Sequence, residues 1–148
     1  MSTRQEIQSI PDALRATLTE GCPQFEALIR QTRLGGNGPV FFVGSGSEHI
    51  LGLAGVYAFE GLLGRAAIAR PALDFRAYSA GALDAQSLVL AVCQSGESAE
   101  TLEAAQAARR RGSTVLALTG NLASSLAKMA DGVFLVRSGE EDEPRIKT

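Results

Sequence analysis

The sequence has no tryptophan, a single histidine (His49) and two cysteines, Cys22 and Cys93. Aromatic residues make up 5% of the chain, so a core has to be filled mainly by aliphatic side chains. Two cysteines are too few for a disulfide framework or a cysteine-rich zinc site, and no metal is expected. Strong charge is also missing. The net charge is −2 over 148 residues, which leaves no basic surface for nucleic acid. No apolar run approaches the roughly 20 residues that span a bilayer. The first residues, Met1 to Glu6, lack the apolar stretch of a secretory signal. These absences point to a reduced, cytoplasmic protein with neither membrane nor nucleic-acid partner.

What is present is 45% apolar sequence, enough for one domain with a real core. Short apolar runs at 40–43, 66–69, 88–92, 114–118 and 133–136 read as buried strands. Helix-like stretches at 47–63, 99–111 and 124–129 lie between them, and 73–78 reads as a connector or helical turn. Strands alternating with helices predict an α/β fold, with a five-stranded parallel sheet covered on both faces. Ahead of it, Leu14, Leu18, Phe25, Leu28 and Ile29 are spaced as on helices, with an interruption at Gly21-Cys22-Pro23. That pattern predicts two short helices, with Asp12 and Pro23 near their starts. Gly35-Gly36-Asn37-Gly38-Pro39 then divides an N-terminal helical arm, residues 1–38, from a single domain, residues 39–148.

In parallel sheets, ligands bind beyond the carboxyl ends of the strands, at the switch point. Two glycine–serine loops follow strand ends here. The second, Cys93-Gln94-Ser95-Gly96-Glu97-Ser98, turns from a strand into a helix at Gly96. Ser95 and Ser98 are both placed to cap that helix. A helix start also directs unpaired N–H groups and a positive dipole end outward, which suits an anion. With two hydroxyls, a side-chain amide and no lysine, the loop reads as a pocket for a phosphate on a small molecule. Glu97 is expected to cap or orient backbone, its charge turned from the ligand.

The first loop, Gly44-Ser45-Gly46-Ser47-Glu48-His49, begins like G-x-G-x-x-G but has His49 in place of the last glycine. The acidic residue that would meet a ribose is missing, and Arg70 stands near its place, so a dinucleotide is the weaker reading and a tight turn the plainer one. No phosphate-binding G-x-x-x-x-G-K-[ST] occurs, and no cofactor is expected. Glu48 and His49 are weak candidates for a catalytic base, in a helix's first turn beside the pocket. A lone histidine is more often a partly exposed polar residue. Cys93 can be read as a nucleophile at a helix start, but no base stands near it in sequence, and a small residue closing a buried strand is the better account. Arg109-Arg110-Arg111 complements the negative end of its helix.

Taken together, Gly44-Ser45-Gly46-Ser47 and Cys93-Gln94-Ser95-Gly96-Glu97-Ser98-Ala99-Glu100-Thr101 resemble the SIS (sugar isomerase) domain. The likeness is greatest to the isomerase half of glucosamine-6-phosphate synthase and to amino-sugar phosphate isomerases and deglycases. The second stretch resembles that family's S-Q-S-G-E-T-x-[DE]-T, with Cys93 for the first serine and Ser98 for the threonine. Residues 6–18 resemble the E-I-x-x-x-P-x-x-L lead-in, and Ala72-Leu73-Asp74-Phe75-Arg76 the A-S-E-F segment with its serine lost. The resemblance implies a flavodoxin-like sandwich that binds a sugar phosphate or amino-sugar phosphate. Carried over, Gln94, Ser95, Gly96 and Ser98 would hold phosphate, with Cys93 adding its backbone or a weak thiol contact. Ser45, Gly46 and Ser47 would face the sugar.

Two departures bear on activity. Where relatives have V-A-x-T-K after the fifth strand, Pro144-Arg145-Ile146-Lys147-Thr148 matches poorly. Relatives also continue into a second SIS domain that carries acid–base residues. The resemblance therefore implies one half of an isomerase or deglycase unit, or else a complete enzyme whose site is assembled between subunits. A half-site built to face a second domain should leave apolar surface uncovered, so a homodimer is expected.

Overall fold

The computed structural model describes residues 3–31 and 37–138. Gly35 and Gly36 of the expected break lie outside the described residues, as does everything from 139 on, including Pro144 to Thr148.

Five strands form one parallel sheet in the order β2-β1-β3-β4-β5. They are β1 (Val40–Gly44), β2 (Ala67–Pro71), β3 (Leu88–Val92), β4 (Thr114–Thr119) and β5 (Gly132–Leu135). This is the flavodoxin-like order, and its switch point falls between β1 and β3. Val40 pairs with Ala67 on one side and Leu88 on the other, so both flanking ladders start level.

The pleat of β1 sorts its residues onto two faces, which is why the strand is apolar throughout. Phe41 and Val43 join Phe75, Val89, Ala91 and Leu126 in one buried cluster. Helix α5 (Ala99–Arg110) closes that face with Ala104, Ala105, Ala107 and Ala108, whose small side chains admit a close approach. Val40 and Phe42 join Ala67, Ala69, Leu88, Leu90 and Leu116 on the other face, where Val56 and Phe59 of α3 (Ser47–Leu63) and Leu28 pack. The result is a three-layer sandwich. All six phenylalanines of the chain stand in edge-to-face pairs: Phe41 with Phe75, Phe42 with Phe59, and Phe25 with Phe134. One pair serves each face, and the third joins the arm to β5.

The arm is helical as expected, with Pro23 near the start of its second helix, but its first helix begins well before Asp12. α1 (Thr3–Ala16) contains Pro11 and Asp12 in its interior rather than starting at them. It runs through a π-type turn, Thr17–Gly21, into α2 (Cys22–Gln31), with helical backbone at the junctions. The helical path continues past Gly21-Cys22-Pro23, with Pro23 in the first turn of α2 directly after the π-type turn. The wider turn has a use in packing. The Thr17 hydroxyl accepts from the Arg137 N–H at 2.9 Å, and Glu20 pairs with the Arg137 guanidinium at 2.9 Å. Tertiary contact thus overrides the local signal to break.

After β2, the chain makes a short helical passage: α4 (Ala72–Asp74), a π-type turn (Phe75–Ser79) and a 3-10 turn (Ala80–Ala82). It buries Phe75 against Phe41. The last helix, α6 (Ser125–Met129), is capped by the Ser124 hydroxyl, which accepts from the Ala127 N–H.

Candidate functional site

The loops after β1 and β3 lie side by side at the switch point, where the expected site residues fall. The first is short. β1 ends at Gly44, where a Cβ would come within 2.7 Å of the Glu48 Cβ and 3.0 Å of the Val92 carbonyl, so no side chain fits. Gly46 follows with φ of 60° and leads straight into α3. Ser45 and Ser47 are half-buried. The Glu48 N–H donates to the Ser45 carbonyl at 3.3 Å, which closes the turn. Ser47 makes a long contact of 3.5 Å to the Glu48 carboxylate. His49, in the next position, has a buried Nδ1 with no hydrogen-bond partner among the described residues.

The second loop is braced from beneath. The Cys93 N–H donates to the Leu118 carbonyl at 3.0 Å, extending the β3–β4 ladder by one bond. Its carbonyl accepts from the Gly96 N–H at 3.1 Å, and its buried thiol lies 3.6 Å from the Ser95 hydroxyl. The Gln94 carbonyl accepts from the Gly120 N–H and the Thr119 hydroxyl, at 2.8 and 3.1 Å. The Gln94 amide reaches the Ser138 hydroxyl at 3.2 Å. At Gly96, φ is 70°, and a Cβ would sit 2.2 Å from the Ser124 Oγ. The Gly96 carbonyl accepts from the Leu126 N–H at 3.1 Å. The β4–α6 loop, Thr119 to Ser124, therefore forms the floor on which the turn rests. The sequence alone assigns it no role. Its signal was a small polar run, Thr119-Gly120-Asn121, beyond the carboxyl end of a strand.

Glu97 is directed to the start of α6. Its carboxylate accepts from the Ser125 N–H at 2.8 Å and so holds the start of α6, the orienting role its place suggested. That bond is the main cause of a pKa below the ordinary glutamate value, with the Ser125 side chain and the Lys128 charge adding to it against a small opposing effect of burial.

The expected caps of α5 do not form. Ser98 occupies the N-cap position but its hydroxyl bonds no helix N–H; it meets the Thr101 hydroxyl at 3.4 Å instead. Ser95 accepts from the Glu97 N–H at 3.2 Å, ahead of the helix. Neither oxygen therefore covers the first N–H groups of α5, and Ser95 beside them is exposed.

One contact crosses from loop to loop. The Ser45 hydroxyl donates to the carboxylate of Glu100, in the first turn of α5, at 2.7 Å. Nothing in the sequence marks this pair. Among the described residues no group of His, Cys, Asp and Glu is arranged to hold a metal ion.

The SIS domain model matches residues 37–146, which hold the whole sheet and both loops. This chain belongs to the SIS domain family. Over 137 residues, the SIS domain is 40% identical to the isomerizing glutamine–fructose-6-phosphate aminotransferase of Methanothermobacter thermautotrophicus, covering 93% of this chain and 22% of that protein. The enzyme of the same name from Aeropyrum pernix is 36% identical over 141 residues, with the same coverage. Among solved structures, glucosamine-6-phosphate deaminase from Thermotoga maritima superposes with a TM-score of 0.76 at 26% identity, over 95% of this chain and 41% of that one. This SIS domain thus spans 22% of the length of each of these two curated relatives. No helix among its described residues is long and apolar enough to cross a membrane.

Proposed function

We propose that this SIS domain binds a sugar phosphate or amino-sugar phosphate in the crevice between the two loops. The phosphate rests on Gln94 to Ser98, and Ser45, Gly46 and Ser47 face the sugar. The observation that carries this is the uncovered start of α5 beside the exposed Ser95, on a turn braced by β4 and α6. Backbone N–H groups, a helix dipole and hydroxyls together suit a phosphate without a lysine. Cys93 serves as backing, since its N–H is taken by the sheet and its thiol is turned to Ser95. The names of the relatives add support, each naming a phosphorylated sugar or amino sugar.

The test is calorimetric binding of glucose 6-phosphate, fructose 6-phosphate and glucosamine 6-phosphate, with inorganic phosphate as control. Each charge-assisted hydrogen bond contributes roughly 1.5–3 kcal/mol. Ser95→Ala should therefore weaken a sugar phosphate by about tenfold or more. Unchanged affinity in both Ser95→Ala and Ser98→Ala would refute the placement.

The same domain is proposed to bind without turning over. Proton transfer between neighbouring carbons needs a base in contact with substrate. The Glu48 carboxylate meets the Ser47 hydroxyl at 3.5 Å, and His49 has its Nδ1 buried. An isomerase assay on the three sugar phosphates should give at most trace turnover. Ordinary turnover abolished by Glu48→Gln or His49→Ala would establish instead a complete isomerase or deglycase.

We also propose a homodimer in a reducing, cytoplasmic setting. Ile7, Leu14 and Leu18 of the arm are more than half exposed, as are Ile50, Tyr57, Leu62 and Leu63 of α3. Both cysteines are free thiols.

A further inference from the structure

We propose that Glu100 sets the polarity of the sugar-facing loop by holding Ser45 as a hydrogen-bond acceptor, so that this loop takes donor groups and turns phosphate away. The inference rests on the binding mode proposed above.

A serine hydroxyl has one proton and two lone pairs, and an ionised carboxylate has only lone pairs. Of the two partners only Ser45 can donate, and the 2.7 Å separation fits an O–H···O⁻ bond. Its single proton is therefore committed to Glu100. What remains on the Ser45 oxygen can only accept. The position is well defined, because the Ser45 carbonyl holds the Glu48 N–H and Gly44 admits no side chain behind it. Glu100 stands two residues beyond Ser98 in the first turn of α5, so the bond ties together loops that are 55 residues apart in sequence.

The consequence is a directional crevice. A sugar hydroxyl or an ammonium group meeting Ser45 finds an acceptor with a negative charge behind it. A phosphate oxygen, a carbonyl, a ring oxygen or a fluorine meets lone pair against lone pair. On the other loop, the N–H groups at the start of α5 offer donors. The two loops thus present opposite hydrogen-bonding faces, which orients a ligand that has a phosphate at one end and hydroxyls at the other. Glu100 need not touch the ligand to do this; it is a positioning residue.

The test uses glucose 6-phosphate, fructose 6-phosphate and glucosamine 6-phosphate, together with analogues in which each free hydroxyl is replaced in turn by fluorine. Fluorine keeps the size and accepts weakly but cannot donate. For the wild-type protein, at least one analogue should bind about tenfold or more weaker than its parent, the effect of leaving an acceptor unmet. In Glu100→Ala the Ser45 hydroxyl is free to rotate, and the penalty should fall to within about threefold. Ser45→Ala should abolish it likewise, while inorganic phosphate affinity stays level or rises in both variants. Thermal melts of the two variants establish that each is folded. A fluorine penalty that persists in Glu100→Ala, or that is missing in the wild type while the sugar phosphates bind, overturns this inference alone. If no sugar phosphate binds better than inorganic phosphate, the proposed binding mode fails and the inference falls with it.

Discussion

Two glycines with positive φ, Gly46 and Gly96, turn the chain at the two loops, but they sit in different surroundings. A Cβ at Gly46 would meet nothing within 4 Å, whereas at Gly96 it would strike Ser124 and Thr119. Gly46→Ala should cost roughly 1–3 kcal/mol of backbone strain. Gly96→Ala should cost about 1–3 kcal/mol more, from forcing the β4–α6 loop away. Thermal melts should rank them in that order, about 2–4 °C apart for each kcal/mol. Equal losses would show that the turn does not rest on Ser124. Glu97 adds a pH dependence. Its folded pKa lies below the unfolded one, so its contribution is fully present above the ordinary carboxylate range and lost as pH falls through the folded value. Wild type should therefore melt above Glu97→Gln at pH 7, and the gap should close on acidification; a pH-independent gap would contradict the bond to Ser125. Ser95, Gly96 and Ser98 were legible as a group because they are adjacent in the chain. The Ser45–Glu100 pair was not, since no local pattern joins residues that only the β1–β3 pairing brings together.

At the scale of elements, α3 is the instructive helix. It is apolar on most sides, and its glycines have unequal roles. At Gly55 a Cβ would lie 2.5 Å from the Phe42 ring, while at Gly61 it would meet nothing within 4 Å. Gly61→Ala should stabilise by about 0.5–1 kcal/mol through helix propensity alone. Gly55→Ala should destabilise by about 1–3 kcal/mol, because the Phe42–Phe59 pair has to move. Denaturant melts that give both changes the same sign would refute the close approach of α3 to β1. All five strands could be placed from sequence because buried parallel strands are apolar on both faces and need no periodicity to be seen. α3 and α5 were equally legible from the turns that bound them. The arm is legible as helical, but its early start and continuous path are not, because Pro11 and Gly21-Cys22-Pro23 signal breaks locally. What keeps the helical path intact there is docking: Phe25 on Phe134, Leu28 beneath Gly132, and Thr17 on the Arg137 N–H.

For the whole molecule, the apolar side chains on α1 and α3 are the feature a second copy would cover. Sedimentation at tens of micromolar should give a dimer. Tyr57→Lys, at a residue 75% exposed, should shift it toward monomer without lowering the melting temperature of the isolated fold. A wild-type monomer would count against the proposed assembly. The strand order has a consequence of another kind, in time rather than in space. β1 and β2 are joined through α3, and their pairing needs no residue beyond 71. The crevice does not yet exist then, since its second wall is β3, which must find β1 across the whole length of α3, β2 and the passage to residue 82. Such distant pairings form late, because loop closure must precede the contacts that reward it. Pulse-labelled hydrogen exchange should protect the β1–β2 amides before those of β1–β3. A chain caught between the two events would display half a sheet with Val40 and Phe42 already partnered to β2, and its other edge open to the wrong strand.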